Sequence, residues 1–117
     1  MAKSLSDRAA AREFRATLAT VLVLAGLSAP PALAADAQVK IANFTFDPPI
    51  LMVKAGTTVT WVNADDIPHL VSEKDGKFRS SALDTNDKFS QTFSTAGMVE
   101  YFCAIHPHMT GKIVVTP

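Results

Sequence analysis

Residues 35–117 are expected to fold as an all-β domain, a Greek-key β-sandwich of about seven to eight strands. Short runs in which apolar and polar side chains alternate are separated by turn residues at regular intervals. No long stretch after residue 34 repeats apolar residues at helical spacing.

The first third of the chain reads differently. Lys3, Arg8, Arg12 and Arg15 make a basic start, Leu18 to Leu27 is an apolar run, and Ala32-Leu33-Ala34 supplies small residues in an A-x-A pattern. That order is the pattern of a secretory signal peptide spanning 1–34, cut after Ala34. The competing reading is a membrane anchor. A span needs about 20 apolar residues, and this core has roughly half that, so no stable membrane insertion is expected after cleavage. The remaining piece, 35–117, is one domain with seven cationic side chains against nine carboxylates. That slightly acidic balance has no basic stripe and sets nucleic acid aside as a partner.

The expected strands follow in order. Val39 to Phe46 alternates and stops at Asp47-Pro48-Pro49, and Ile50 to Val53 ends at the turn Lys54-Ala55-Gly56. Thr57 to Asn63 alternates hydroxyl and apolar residues and stops at Ala64-Asp65-Asp66. His69 to Ser72 is a short run leading into the charged turn Glu73 to Gly76, and Phe78 to Asp87 reads as a loop with one short strand. Lys88 to Phe93, Val99 to Cys103 and Lys112 to Thr116 complete the set. Met52 and Met98 read as core side chains.

A domain this small buries only roughly 60–65% of its unfolded surface and commonly needs a staple. One cysteine cannot form an internal disulfide, which leaves a metal as the obvious staple. The segment from Tyr101 to Lys112 contains Cys103, His106 and Met109 in the spacing C-x2-H-x2-M between two strands. A short loop anchored at both ends can turn three such side chains toward one point. Pro107 stiffens it, and Gly111 is expected to supply a backbone conformation that other residues resist. His69, directly after Pro68, is the candidate fourth ligand.

Donor chemistry selects the metal. Thiolate, imidazole and thioether are soft to borderline, and two His with one Cys and a weak axial Met is the blue-copper arrangement. Zinc gains little from a thioether, and calcium or magnesium requires oxygen donors. Each residue also has a plainer reading. Cys103 alone could be a buried hydrophobe or could pair between molecules, His69 could be a structural histidine, and Met109 could be core. His108, between two ligand positions, is expected to point away, and Asp65 and Asp66 read as turn residues.

Trp61-Val62-Asn63, Pro68-His69, Phe89 to Phe93, and Tyr101-Phe102-Cys103 through His106-Pro107 to Met109 and Gly111 resemble the cupredoxin family, nearest its amicyanin and plastocyanin group. The two-residue gaps either side of His106 are similar to the short amicyanin loop. The resemblance implies one type 1 copper ion bound by His69, Cys103, His106 and Met109. It also implies electron transfer with redox proteins such as a c-type cytochrome or a dehydrogenase, and a monomer rather than an enzyme. Many relatives carry a polar residue directly after the first His and another after the Cys, whereas here Leu70 and Ala104 are apolar. A side-chain tie between the two ligand loops is therefore missing.

The leading expectation is a periplasmic electron carrier that cycles Cu(II) and Cu(I). A copper storage or delivery protein is the alternative. An enzyme is disfavoured, because a four-ligand site leaves no open position for substrate.

Overall fold

The computed structural model describes residues 35–117, so the expected signal peptide lies outside the described residues. Eight strands form two four-stranded sheets, with no helix among the described residues. They are β1 (Asp36–Ala42), β2 (Thr45–Asp47), β3 (Ile50–Lys54), β4 (Thr57–Asn63), β5 (Ser72–Glu73), β6 (Lys88–Phe93), β7 (Gly97–Phe102) and β8 (Thr110–Thr116). One sheet has the order β2-β1-β4-β6 and the other β3-β8-β7-β5. The pairs β1–β4 and β3–β8 are parallel, and the other pairs are antiparallel. The expected all-β sandwich is the observed one.

Alternation explains how the strands pack. In β4, Thr57, Val59, Trp61 and Asn63 are buried, while Thr58, Thr60 and Val62 lie on the other face. There, Thr58 and Thr60 share hydroxyl hydrogen bonds of 2.8 and 2.7 Å with Thr92 and Ser90 across the β4–β6 pair. Trp61 and Tyr101 meet at the centre of the core, ring centroids 5.2 Å apart and nearly perpendicular. Ile41, Val39, Val59 and Ile113 fill the space around them with no exposed surface. Full burial of each such aliphatic side chain contributes about 1.5–3 kcal/mol.

Three expectations are corrected. The run from Val39 to Phe46 is not one strand, because it reverses at Asn43-Phe44 (φ 53° and 57°) and β2 returns antiparallel on β1. Positive φ at both central residues is the pattern of a type I′ hairpin, whose twist matches its flanking strands. The segment from His69 to Ser72 is not a continuous strand, since His69 makes only an isolated bridge to Leu83 and β5 begins at Ser72. Finally, Met52 and Met98 are not core, being 68% and 63% exposed. Strand parity is the cause. Val53 and Tyr101 point inward, so Met52 and Met98, each an odd number of residues away, fall on the outer face. Both are registered with Val114 of β8.

Gly111 is a further correction. It does not have positive φ and sits within β8, opposite Tyr101. Its role is to leave space, because a Cβ there would overlap the Tyr101 ring.

Candidate metal centre

The site is built at one end of the sandwich from the β4–β5 and β7–β8 connections. Asn63, the buried last residue of β4, organises the first. Its Nδ2 donates to the carbonyls of Ile67 (2.9 Å) and Leu83 (2.8 Å), and its Oδ1 accepts the Asp65 N–H (2.9 Å). His69 and Leu83 then exchange backbone hydrogen bonds of 3.1 and 2.8 Å, which fixes His69 in a fully buried position.

The second connection turns every three residues. The His106 N–H donates to the Cys103 carbonyl (3.2 Å) and the Met109 N–H to the His106 carbonyl (2.8 Å). The Cys103 N–H donates to the Met109 carbonyl (3.0 Å), closing the loop. The C-x2-H-x2-M spacing therefore matches the period of the backbone. Cys103 and Met109 are buried, His106 is half-buried, and His108 is exposed.

Three donor atoms converge across the two connections. Cys103 Sγ lies 3.8 Å from His69 Nδ1 and 3.7 Å from His106 Nδ1, and the two nitrogens are 3.3 Å apart. A borderline first-row ion bonds imidazole nitrogen at about 2.0–2.1 Å and thiolate at about 2.3 Å, so a triangle of this size holds one ion. Of the residues singled out from the sequence, His69, Cys103 and His106 are brought together, and Met109 closes the same loop. His108 and Asp66 are exposed and outside the cluster.

The surroundings prepare the donors. Asp65 Oδ2 is 2.8 Å from His69 Nε2. A carboxylate only accepts, so Nε2 carries a proton and donates it to Asp65, which turns Nδ1 toward the triangle. Asp65 also accepts the N–H groups of Asn43 (2.7 Å) and Phe44 (3.0 Å). Burial pushes its carboxyl pKa up. The donors of Phe44, Asn43 and His69 outweigh that effect and hold it below the ordinary carboxylate range. On the sulfur side, the Leu70 N–H donates to Cys103 Sγ at 3.3 Å. The two ligand loops are therefore tied after all, through backbone rather than through side chains at 70 and 104.

Asp65 and Phe44 are contributors that the sequence reading passed over, one as a turn residue and the other as part of a strand. The carboxylate four residues before His69 was a legible signal. Nothing local marks Phe44, which reaches the site only because the β1–β2 hairpin folds over it.

A two-sheet sandwich with thiolate and imidazole donors gathered at one end defines a small copper protein. The chain belongs to the plastocyanin/azurin family of copper binding proteins, whose family model matches residues 33–116. It is 37% identical over 115 residues to amicyanin-alpha of Methylorubrum extorquens, covering 84% of this chain and 97% of the relative. A purple cupredoxin from Nitrosopumilus maritimus superposes with TM-score 0.64 at 34% identity, over 68% of this chain and 99% of the other. The Cu(I) form of an amicyanin variant superposes with TM-score 0.66 at 34% identity, over 73% and 86%. With a donor set that fits, the cofactor is one type 1 copper ion.

Proposed function

We propose that the protein is an electron carrier of the periplasm, exported by a signal peptide over 1–34, with 35–117 as its copper domain. His69, Cys103, His106 and Met109 hold the ion, which cycles between Cu(II) and Cu(I). The observation that carries this reading is the convergence of the His69, Cys103 and His106 donor atoms to within 4.8 Å of one another.

Copper, when bound, supplies a one-electron couple. The chain's part is to keep the donors still. Asp65 fixes the His69 tautomer and ring direction, and the Leu70 N–H stabilises negative charge on Cys103 Sγ. Asn63 and the Cys103–Met109 hydrogen bonds close both loops from behind. A donor frame held in this way changes little between oxidation states, which favours fast transfer. Met109 supplies a weak thioether from the end of the loop. His106 is the half-buried member, flanked by exposed Ile105 and Pro107, and forms the route to a partner. Small redox encounters suit rapid release, and a c-type cytochrome or a dehydrogenase is the kind of partner implied. A filled ligand set leaves no position for a substrate, so no catalytic step is assigned.

The test is the visible spectrum with one equivalent of Cu(II). Intense thiolate charge-transfer colour is expected. Cys103→Ser abolishes it, and His108→Ala leaves it unchanged. A nearly colourless wild-type complex refutes the assignment. Ready surrender of Cu(I) to a competing chelator would favour storage or delivery over electron carriage.

A further inference from the structure

The two imidazoles of the site are held by different means. His69 is fully buried and its far nitrogen is bonded to Asp65. His106 is half-buried, and its Nε2 has no hydrogen bond among the described residues. One edge of the His106 ring is held at the donor triangle, Nδ1 lying 3.3 Å from His69 Nδ1 and 3.7 Å from Cys103 Sγ, so it is the far edge, at Nε2, that depends on packing.

Phe44 supplies that packing. Its ring stands edge-on to both imidazoles, with centroids 5.0 Å from His106 and 5.5 Å from His69 and interplanar angles of 81° and 90°. Phe44 is nevertheless 44% exposed, so core burial does not account for it. Its backbone has φ 57°, a conformation that a bulky side chain adopts only when its surroundings enforce it. Asp65 enforces it by accepting the N–H groups of both turn residues. Strain retained at a half-exposed position beside a site points to a role in that site.

We propose that Phe44 is a positioning residue that fixes the ring plane of His106, and that Asp65 governs both imidazoles. It holds His69 through a direct hydrogen bond and His106 through the turn that presents Phe44. This rests on His106 being a copper ligand as proposed above, but the contact itself exists without metal and can be tested without it.

Phe44→Gly separates the two roles of the residue, because glycine accepts positive φ readily and removes the ring. In metal-free protein, vicinal NMR couplings report the χ1 angle of His106. One rotamer is expected in the wild type, and averaging among rotamers in Phe44→Gly and Phe44→Ala. Phe44→Tyr should restore the single rotamer, because it keeps the ring. The melting temperature of metal-free Phe44→Gly should not fall with the loss of order at His106, whereas a purely structural role requires both to fall together. In copper-loaded protein the charge-transfer band of Phe44→Gly should shift, and Phe44→Tyr should return it. A single His106 rotamer in both the Gly and Ala variants overturns the proposal. Averaging that Phe44→Tyr fails to rescue also overturns it, by assigning the effect to the turn rather than the ring. A wild type that binds no copper while its rotamer responds to Phe44 defeats the functional reading and leaves the positioning role standing.

Discussion

The ring of Tyr101 occupies the space into which a side chain on Gly111 would project, and the two residues are registered partners on β7 and β8. Tyr101 is almost completely buried between Phe46 and Trp61, so it has little room to yield. Gly111→Ala should therefore cost about 1–3 kcal/mol by overpacking. For a domain of this size, each kcal/mol lowers the melting temperature by roughly 4–8 °C. Thermal unfolding of metal-free protein measures this, and an unchanged midpoint would mean that the ring moves aside.

Tyr101 also makes a prediction at high pH. Burial pushes its phenol up to about 12, and the nearby Trp61 N–H offsets only part of that. The phenol oxygen and the indole nitrogen are both buried without completing a hydrogen bond among the described residues. The unfolded chain releases this proton near pH 10, while the folded chain retains it. Stability is thus unaffected below pH 10 and falls as pH rises from about 10 to 12, by up to about 3 kcal/mol. Tyr101 is the sole tyrosine, so an ultraviolet phenolate titration reads it directly. Tyr101→Phe should remove this share of the alkaline loss. It should cost little at neutral pH, since no hydrogen bond is broken.

Asp65→Ala removes three hydrogen bonds at once, two of them from a turn with positive φ. Water can take the place of the carboxylate at the two exposed turn amides, so the cost to the metal-free protein is that of exchanging charge-assisted hydrogen bonds for hydration, about 1–3 kcal/mol. Loss of the carboxylate behind His69 should weaken copper binding roughly 10–100-fold. Denaturant unfolding and competition with a chelator measure the two effects separately. A change in stability with unaltered affinity would reduce Asp65 to a turn residue.

Copper binding and folding are linked. An ion that binds the folded chain alone, at 1,000 times its dissociation constant, adds about 4 kcal/mol. The melting temperature should rise by tens of degrees on loading, which is about what a domain this small gives for that energy. Removal of the ion with a chelator should reverse the gain. Equal melting temperatures with and without copper would contradict a preformed site.

Much of the sandwich could be read from the chain, because β4 alternates cleanly and the Cys103–Met109 loop carries its donors at the period of its own hydrogen bonds. What escaped depends on contacts between distant residues. The reversal at Asn43-Phe44 is sustained by a carboxylate at position 65, which no local propensity reveals. Met52 and Met98 look like core by composition, and only the register with β8 shows which face they take. Gly111 reads as a place for a backbone conformation that other residues resist and is instead a gap for Tyr101. The tie between the ligand loops uses the Leu70 amide, and a sequence of side chains says nothing about where an amide points.

The parallel pairing of β1 with β4 and of β3 with β8 bears on timing. Neither pair can be joined by a tight turn, and β3–β8 connects residues near opposite ends of the domain. Closing such long loops is entropically slow, so the domain should fold more slowly than one built from neighbouring hairpins. His69 and Cys103 come from connections that face each other only once both sheets have closed. A copper colour that develops during refolding would therefore act as a clock for the final assembly of the chain, and would stay silent through the earlier collapse.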